Sequence, residues 1–330
     1  MRIDIHSHFT PRDCLDAIDK SGKRFGASVT KDKTGKEIMT VGNMSLGPTA
    51  RQRWDPEARI KDMDSQGIDM QVLSPSPLTL YYDLDMETAL WYSRLQNEGT
   101  ARAIKDYPTR FLGLAMIPLQ EPGKALVELD RAINKLGLRG VEILSNVNGN
   151  YLDSRDLYPF YEAMEDLDLP IFIHPALNIA AADRLEEYEL FNLIGIPLDS
   201  TIAVAHLIFS GILDKFPRLK FCISHAGGQA PYLRGRWEHG YEVRPKCRAI
   251  INHPPSYYLP LLYFDTVTHF LPALEYLVSS VGADKVIMGT DYPADMADSS
   301  PVRTVQSLVN VSEADKQKIM GDNAARLFKL

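Results

Sequence analysis

The sequence predicts a single α/β domain over residues 1–330: an eight-stranded (β/α)8 TIM barrel with a small hairpin insertion after the first strand. Three observations predict it. Eight apolar runs alternate with helical stretches, more than a six-strand doubly wound sheet would show. Most runs are continuous rather than alternating, as expected of strands covered on both faces. Four of the runs end in His or Asp, although the chain holds only eight histidines. In such a barrel the carboxyl ends of the strands converge on one mouth, where chemistry is placed.

The first strand is read as Arg2–His8. The polar stretch 21–53 then breaks the rhythm, with Asp32-Lys33-Thr34-Gly35 and Val41-Gly42-Asn43-Met44 as turn candidates. This is the expected hairpin insertion, covering the barrel mouth. The remaining strands are read as Met70–Ser74, Phe111–Pro118, Gly140–Leu144, Pro170–His174, Lys220–His225, Leu262–Thr266 and Lys285–Thr290. Between them, helix Met86–Lys105 is expected to bury Leu90, Leu95, Ala101 and Ile104. Helix Gly123–Leu136 shows a clearer stripe of Leu126, Leu129, Ile133 and Leu136, with Gly137 as its C-cap. The long loop Pro175–Leu198 is expected to lie over the site. The tail Ser312–Leu330 reads as a terminal helix, Ser312 and Asp315 at capping positions and Ile319, Leu327 and Phe328 available to pack.

Composition bounds the function. Hydrophobic residues at 45% support a large core. A net charge of −7 argues against nucleic acid or an anionic membrane as partner, and no basic stripe interleaved with aromatics is present. No apolar run approaches the roughly 18 residues of a membrane span. The first strand begins at once, so no signal peptide is expected. Cys14, Cys222 and Cys247 are odd in number and widely spaced, which suits reduced thiols in a cytoplasmic protein.

His6 and His8 are two apart in a strand, so both rings face the same side, the barrel interior, while Ser7 faces outward. His174 and Asp291 approach from the opposite wall. Three imidazoles and a carboxylate form a ligand set for one divalent metal, zinc being the expected ion, with coordination left open for water or substrate. A lone histidine at a strand end is more often a hydrogen-bonded core group. Several of them at strand ends of one barrel shift the balance to a metal. His225 is expected to orient water or move a proton beside the metal rather than to ligate it.

The motifs Asp4-Ile5-His6-Ser7-His8 with Pro11, His174-Pro175, Ser224-His225-Ala226-Gly227-Gly228 and Gly289-Thr290-Asp291-Tyr292-Pro293 together resemble the amidohydrolase superfamily. Trp54-Asp55-Pro56 with Arg59-Ile60, Gly67-Ile68-Asp69, and Gly235-Arg236 with Arg244-Pro245 narrow the resemblance to its aminocarboxymuconate-semialdehyde decarboxylase branch. The resemblance runs from the first strand to the last helix. It implies one metal, usually zinc and sometimes manganese, on His6, His8, His174 and Asp291, with His225 as the catalytic histidine and a homodimer as the assembly. Binuclear members carry a carboxylated lysine at the end of the fourth strand. Here Val141-Glu142-Ile143-Leu144 holds none, so a single metal is expected, and Glu142 is read as half of a buried ion pair with an arginine.

Arginines are the natural clamps for a substrate carboxylate, because a planar fork matches a planar acid. Arg51, Arg53, Arg234, Arg236 and Arg244 are the candidates. The resemblance favours Arg236 and Arg244, one of them reaching into a neighbouring subunit, and adds Tyr188 as an aromatic of the pocket loop, where Phe191 is also placed to stack on a ring. Gly47 stands where the branch has an arginine. Arg51 or Arg53 is the available replacement, and the branch's own substrate is not carried over.

The implied activity is metal-dependent, oxygen-independent decarboxylation of an aromatic or unsaturated carboxylic acid. Asp291 serves as a proton donor, or His225 as the base that activates water. A hydrolase of a lactone or amide, or a hydratase of an unsaturated acid, would use the same metal-activated water. A non-catalytic scaffold that binds a small acid would lack a ligand or a proton-handling group, and none is missing.

Overall fold

The computed structural model describes residues 1–33, 35, 37–42, 44–48 and 51–330, with 44–48 described by backbone alone. Thr34 and Asn43, expected in turns, lie outside the described residues. Strand β1 (Ile3–His8) opens the chain. The insertion follows as β2 (Ala27–Lys31), β3 (Glu37–Val41) and β4 (Met44–Pro48), paired antiparallel in the order β2-β3-β4. It is thus a three-stranded meander rather than a hairpin. Its third strand carries Gly47 and Pro48, residues that read as loop in sequence.

The barrel resumes with β5 (Met70–Ser74), which pairs parallel with β1 and with β6 (Phe111–Gly113). The expected run Phe111–Pro118 breaks at Leu114, and its second piece is β7 (Ala115–Met116). The break has a cause in the ladder: Leu114 N–H donates back to Leu73, whereas Ala115 N–H donates forward to Gly140. Next come β8 (Val141–Leu144), a short hairpin of β9 (Asn146–Val147) and β10 (Asn150–Tyr151), β11 (Pro170–His174), β12 (Lys220–Ile223), β13 (Tyr263–Asp265) and β14 (Val286–Ile287). Strands β7, β8, β11, β12, β13 and β14 form one parallel ladder. A bridge between Ser7 and Tyr292 closes the ring, with Ile5 N–H donating to Met288 and Asp291 N–H to the His6 carbonyl.

One inner apolar layer includes Ile3, Ile5, Val72, Leu114, Phe172 and Ile287, with Leu327 and Phe328 of the last helix packed against it. A larger cluster fills the space between strands and helices. The terminal helix is capped as expected, since Ser312 Oγ accepts from Asp315 N–H. Gly137 takes a φ of +76° and donates to Ile133.

Helix Met86–Asp106 corrects the expected buried face. Leu90, Leu95, Ala101 and Ile104 are half-buried, while Tyr92, Ser93, Gln96, Asn97, Thr100 and Ala103 are fully covered. Gln96 donates to the Phe9 carbonyl and Asn97 to that of Met116, so amides serve as core contacts where an apolar stripe was expected. One helical stretch, Phe191–Phe209, is long and apolar enough to cross a membrane. It carries Asp199, Ser200 and Thr201 buried against the barrel, which is the pattern of a core helix.

Candidate metal centre

β1 is irregular between Asp4 and Ser7, where its register on β5 shifts. His6 and His8, two apart in the strand, face the interior together, while Asp4 is retained as a structural carboxylate. Asp4 accepts from His6 N–H, Thr290 N–H, Thr290 Oγ and Gln71, and Gln71 in turn accepts from Arg59. Arg59 is fully buried, donates to the His8 carbonyl and stacks 4.8 Å over the Tyr292 ring. One network therefore holds the backbones of His6, His8 and Thr290 together.

Asp291 is the hub of the cluster. Its Oδ1 lies 3.2 Å from His6 Nε2 and 3.0 Å from His8 Nε2, and its Oδ2 lies 3.7 Å from His225 Nε2. His6, His174, His225 and Asp291 each present one ligand atom, all within 4.8 Å of one another. The His8 ring stands 5.0 Å from those of His6 and His174. All five residues expected at the site are thus brought together. His225 stands as near the common point as the expected ligands do.

The ring nitrogens separate their roles. His6 Nδ1–H donates 2.7 Å to Asp265, His8 Nδ1–H 3.1 Å to the Pro75 carbonyl, and His174 Nδ1–H 3.1 Å to the Pro175 carbonyl. Each of these partners is a pure acceptor, so each ring keeps a proton on Nδ1 and turns Nε2 inward; the Ser74 hydroxyl also lies 3.3 Å from His8 Nδ1. His225 Nδ1 meets the Ser224 hydroxyl at 3.1 Å instead, and a hydroxyl both donates and accepts. Among the described residues His225 is the one ring of the four without a pure acceptor at Nδ1, so its tautomer is not set there.

Charge follows from burial and neighbours. Burial keeps His8 below the ordinary imidazole range and His174 well below it. Burial also opposes charge on His6, yet Asp291 and Asp265 outweigh it and hold that ring at about 10. Burial resists the Asp291 carboxylate, but His6, His225 and His8 keep it well below the usual range. Two neutral rings, a ring that exchanges its proton for a cation, and an anionic carboxylate form a donor set that fits a divalent ion.

Asp265 is the functional residue that sequence reasoning missed. It is fully buried at the end of β13 and accepts from His6 Nδ1–H and from the N–H groups of His225, Ala226 and Val267. Through those bonds it fixes the turn in which His225 and Ala226 adopt φ of +51° and +54°. Gly228 follows at +60°, where a Cβ would stand 1.9 Å from the Pro197 carbonyl oxygen. The signal was present, since Phe264-Asp265-Thr266 ends an apolar run as the other motifs do, but it contains no histidine. Asp265→Asn should weaken metal affinity by roughly 10–100-fold. Metal titration of the variant checks this, and unchanged affinity would remove Asp265 from the site.

Glu142 corrects a second expectation. It is fully buried in β8, in register with Phe172, and no Lys or Arg pairs with it among the described residues. Burial pushes its carboxyl up to about 8, with the Ser74 hydroxyl and His6 pulling the other way. A carboxyl raised in the folded state stabilises least when ionised, so stability falls as pH rises from about 4.5 toward 8. Glu142→Gln should remove that fall. Relative to the parent it should gain roughly 3–5 kcal/mol at pH 9 and little at pH 4. Urea unfolding at the two pH values checks the sign.

The substrate candidates separate clearly. Arg53 is half-buried near the ligands. Burial lowers its guanidinium, and the fields of Asp291 and Asp295 oppose that. Arg51 is exposed, paired with Asp55 and set 6.0 Å from the Trp54 ring centroid. Arg234 donates to the Ser280 carbonyl. Arg236 and Arg244 are exposed along and just after helix Ala230–Val243, and Tyr188 is 81% exposed. Of these six substrate-binding candidates, Arg53 is the one set near the ligands.

The amidohydrolase family model matches residues 3–330. The chain is 34% identical over 331 residues to 2-amino-3-carboxymuconate-6-semialdehyde decarboxylase of Dictyostelium discoideum, covering 100% of this chain and 92% of that one. Among solved structures it matches 5-carboxyvanillate decarboxylase of Sphingomonas paucimobilis with a TM-score of 0.84 at 25% identity, covering 100% and 99% of the two chains. It matches dihydroxybenzoic acid decarboxylase of Polaromonas, solved with manganese and 2-nitroresorcinol, with a TM-score of 0.82 at 25% identity, covering 100% and 97%.

Proposed function

The chain belongs to the amidohydrolase family, and on that footing we propose that it is a metal-dependent, oxygen-independent carboxy-lyase acting on an aromatic or unsaturated carboxylic acid. The observation that carries this reading is the division of labour among the imidazoles. His6, His8 and His174 each meet a pure acceptor at Nδ1, while His225 meets a hydroxyl there beside the same carboxylate. The three relatives described above are decarboxylases of small acids, which supports the same reaction here.

The proposed ligands are His6, His8, His174 and Asp291, holding one divalent ion. The imidazole-rich donor set suits zinc, and manganese, the ion in the Polaromonas relative, is the alternative. When bound, the metal supplies a Lewis acid that polarises a chelating oxygen of the substrate. Arg53 orients the substrate carboxylate from the β14 side of the mouth. In the step itself the bond between carbon and carboxylate breaks. Its electron pair stays on the carbon, CO2 leaves, and a proton is delivered to that carbon. His225 is placed to move this proton, exchanging it with the Ser224 hydroxyl on one side and Asp291 on the other.

The insertion covers the mouth in this reading, since Phe25 and Val41 share a cavity with Leu144 and Leu177 at the strand ends. Arg51, Arg236, Arg244 and Tyr188 retain a role through a homodimer, where exposed arginines reach a neighbouring pocket. Three free cysteines suit a cytoplasmic setting. The deciding experiment is CO2 release by protein reloaded with zinc or manganese, over hydroxybenzoates and muconate-like acids. Metal-dependent release is expected. Silence at verified metal occupancy would sink the proposal and direct testing to lactones, amides and hydration.

A further inference from the structure

Resting on the decarboxylase reading, we infer that the substrate carries a single carboxylate and that the far side of its ring bears neutral hydroxyl or alkoxy groups. The geometry behind this is a cavity whose described lining holds no cation, with Arg53 outside it.

A cavity of about 320 Å³ opens among the insertion and the segments that follow β5, β8 and β11. Leu144, in its lining, is paired in register with His174, so the cavity begins one strand from the cluster. Leu78 and Leu177 wall it from the segments after β5 and β11, and Phe25 and Val41 from the insertion. A planar ring fits such an apolar, aromatic space.

Its polar groups are neutral. The Asn146, Asn148 and Asn178 amides line it, and Asn148 is held by donating to the Tyr82 carbonyl. Amides and tyrosines satisfy a hydroxyl or an ether oxygen. No Lys or Arg is among the described lining residues, and the one charged group there, Asp83, repels an anion. A second carboxylate in this space would lose its water without gaining a partner.

The cation stands outside it. Arg53, whose carbonyl accepts from Thr10 N–H just after β1, is outside the cavity lining, which reaches β8 and the segment after β11. In the closed ring β8 and β11 stand opposite β14 and β1, while β5 is the neighbour of β1. An acid that turns its carboxylate to Arg53 and the ligands points its ring into the neutral cavity.

The test compares near-isosteric acids, 2-hydroxy-3-methoxybenzoate and 2-hydroxyisophthalate, on manganese-loaded protein. Calorimetric Kd and CO2-release kcat/KM are both measured. The methoxy acid should be favoured roughly tenfold or more in each. Equal or reversed preference overturns the inference while leaving decarboxylation intact. Tighter binding of the methoxy acid without turnover supports the inference and sinks the decarboxylase reading instead. Failure of the methoxy acid to bind overturns it. Leu177→Arg, which places a cation on the cavity wall, should shift the ratio toward the dicarboxylate, and an unshifted ratio overturns it. Asn178→Arg, at an exposed position, serves the same purpose if Leu177→Arg does not fold.

Discussion

His225→Ala should lower decarboxylation by roughly 10²–10⁴-fold while the protein keeps its metal. The three other rings carry their protons on Nδ1, fixed by Asp265 and by the Pro75 and Pro175 carbonyls, and none can change tautomer without losing that bond. His225 bonds a hydroxyl and sits 3.7 Å from Asp291, a looser contact than the 3.0 and 3.2 Å of His8 and His6. Its place in a left-handed turn after β12, rather than within the strand, aims it at the cluster. Turnover and metal content measured on one preparation decide the matter. Near-normal turnover with full metal would end the proton-handling role. Loss of metal along with turnover would make His225 a ligand.

His174→Ala should abolish stoichiometric metal binding. Burial keeps this ring neutral, so no proton has to leave before it can ligate. Its Nδ1–H is tied to the Pro175 carbonyl and its orientation is fixed by β11, whose pairing with β8 and β12 is regular. Loss of the metal removes several kcal/mol of transition-state stabilisation, on the order of a thousandfold or more in rate. Elemental analysis after dialysis is the readout, with circular dichroism to verify the fold. A variant that still holds one equivalent of metal would show the ligand set to be wrong.

What was legible in the sequence follows from where local rules hold. His6, His8, His174 and Asp291 each stand at or just past the end of an apolar run, so strand geometry alone placed them at one mouth. The roles of their second nitrogens were not legible, because the Pro75 and Pro175 carbonyls carry no sequence signature. Asp265 stayed hidden because a single acid at a strand end has several ordinary uses, and only the fold shows four donors converging on it. Gln96 and Asn97 reversed the expected face of their helix because hydrogen bonding to barrel carbonyls outweighs polarity once the donors are satisfied. Glu142 lacks the arginine expected for it because Arg59, the fully buried arginine, is engaged by Gln71 and the His8 carbonyl. The third strand of the insertion was masked by Gly47 and Pro48, whose backbone preferences read as turn.

The closure of the ring between Ser7 and Tyr292 sets the order in which the site can come into being during synthesis. The donors leave the ribosome as two imidazoles, then a third and a fourth, and the carboxylate hub at residue 291 comes last, shortly after the Asp265 that supports His6. A nascent chain thus holds rings without the anion that gathers them. Tight metal uptake arrives in the same event that seals the first strand against the last, so an occupied site certifies a finished barrel. Contacts spanning almost the whole chain also make that event slow compared with local helix formation. In the cell, the interval between release from the ribosome and metal loading would then report the rate of barrel closure.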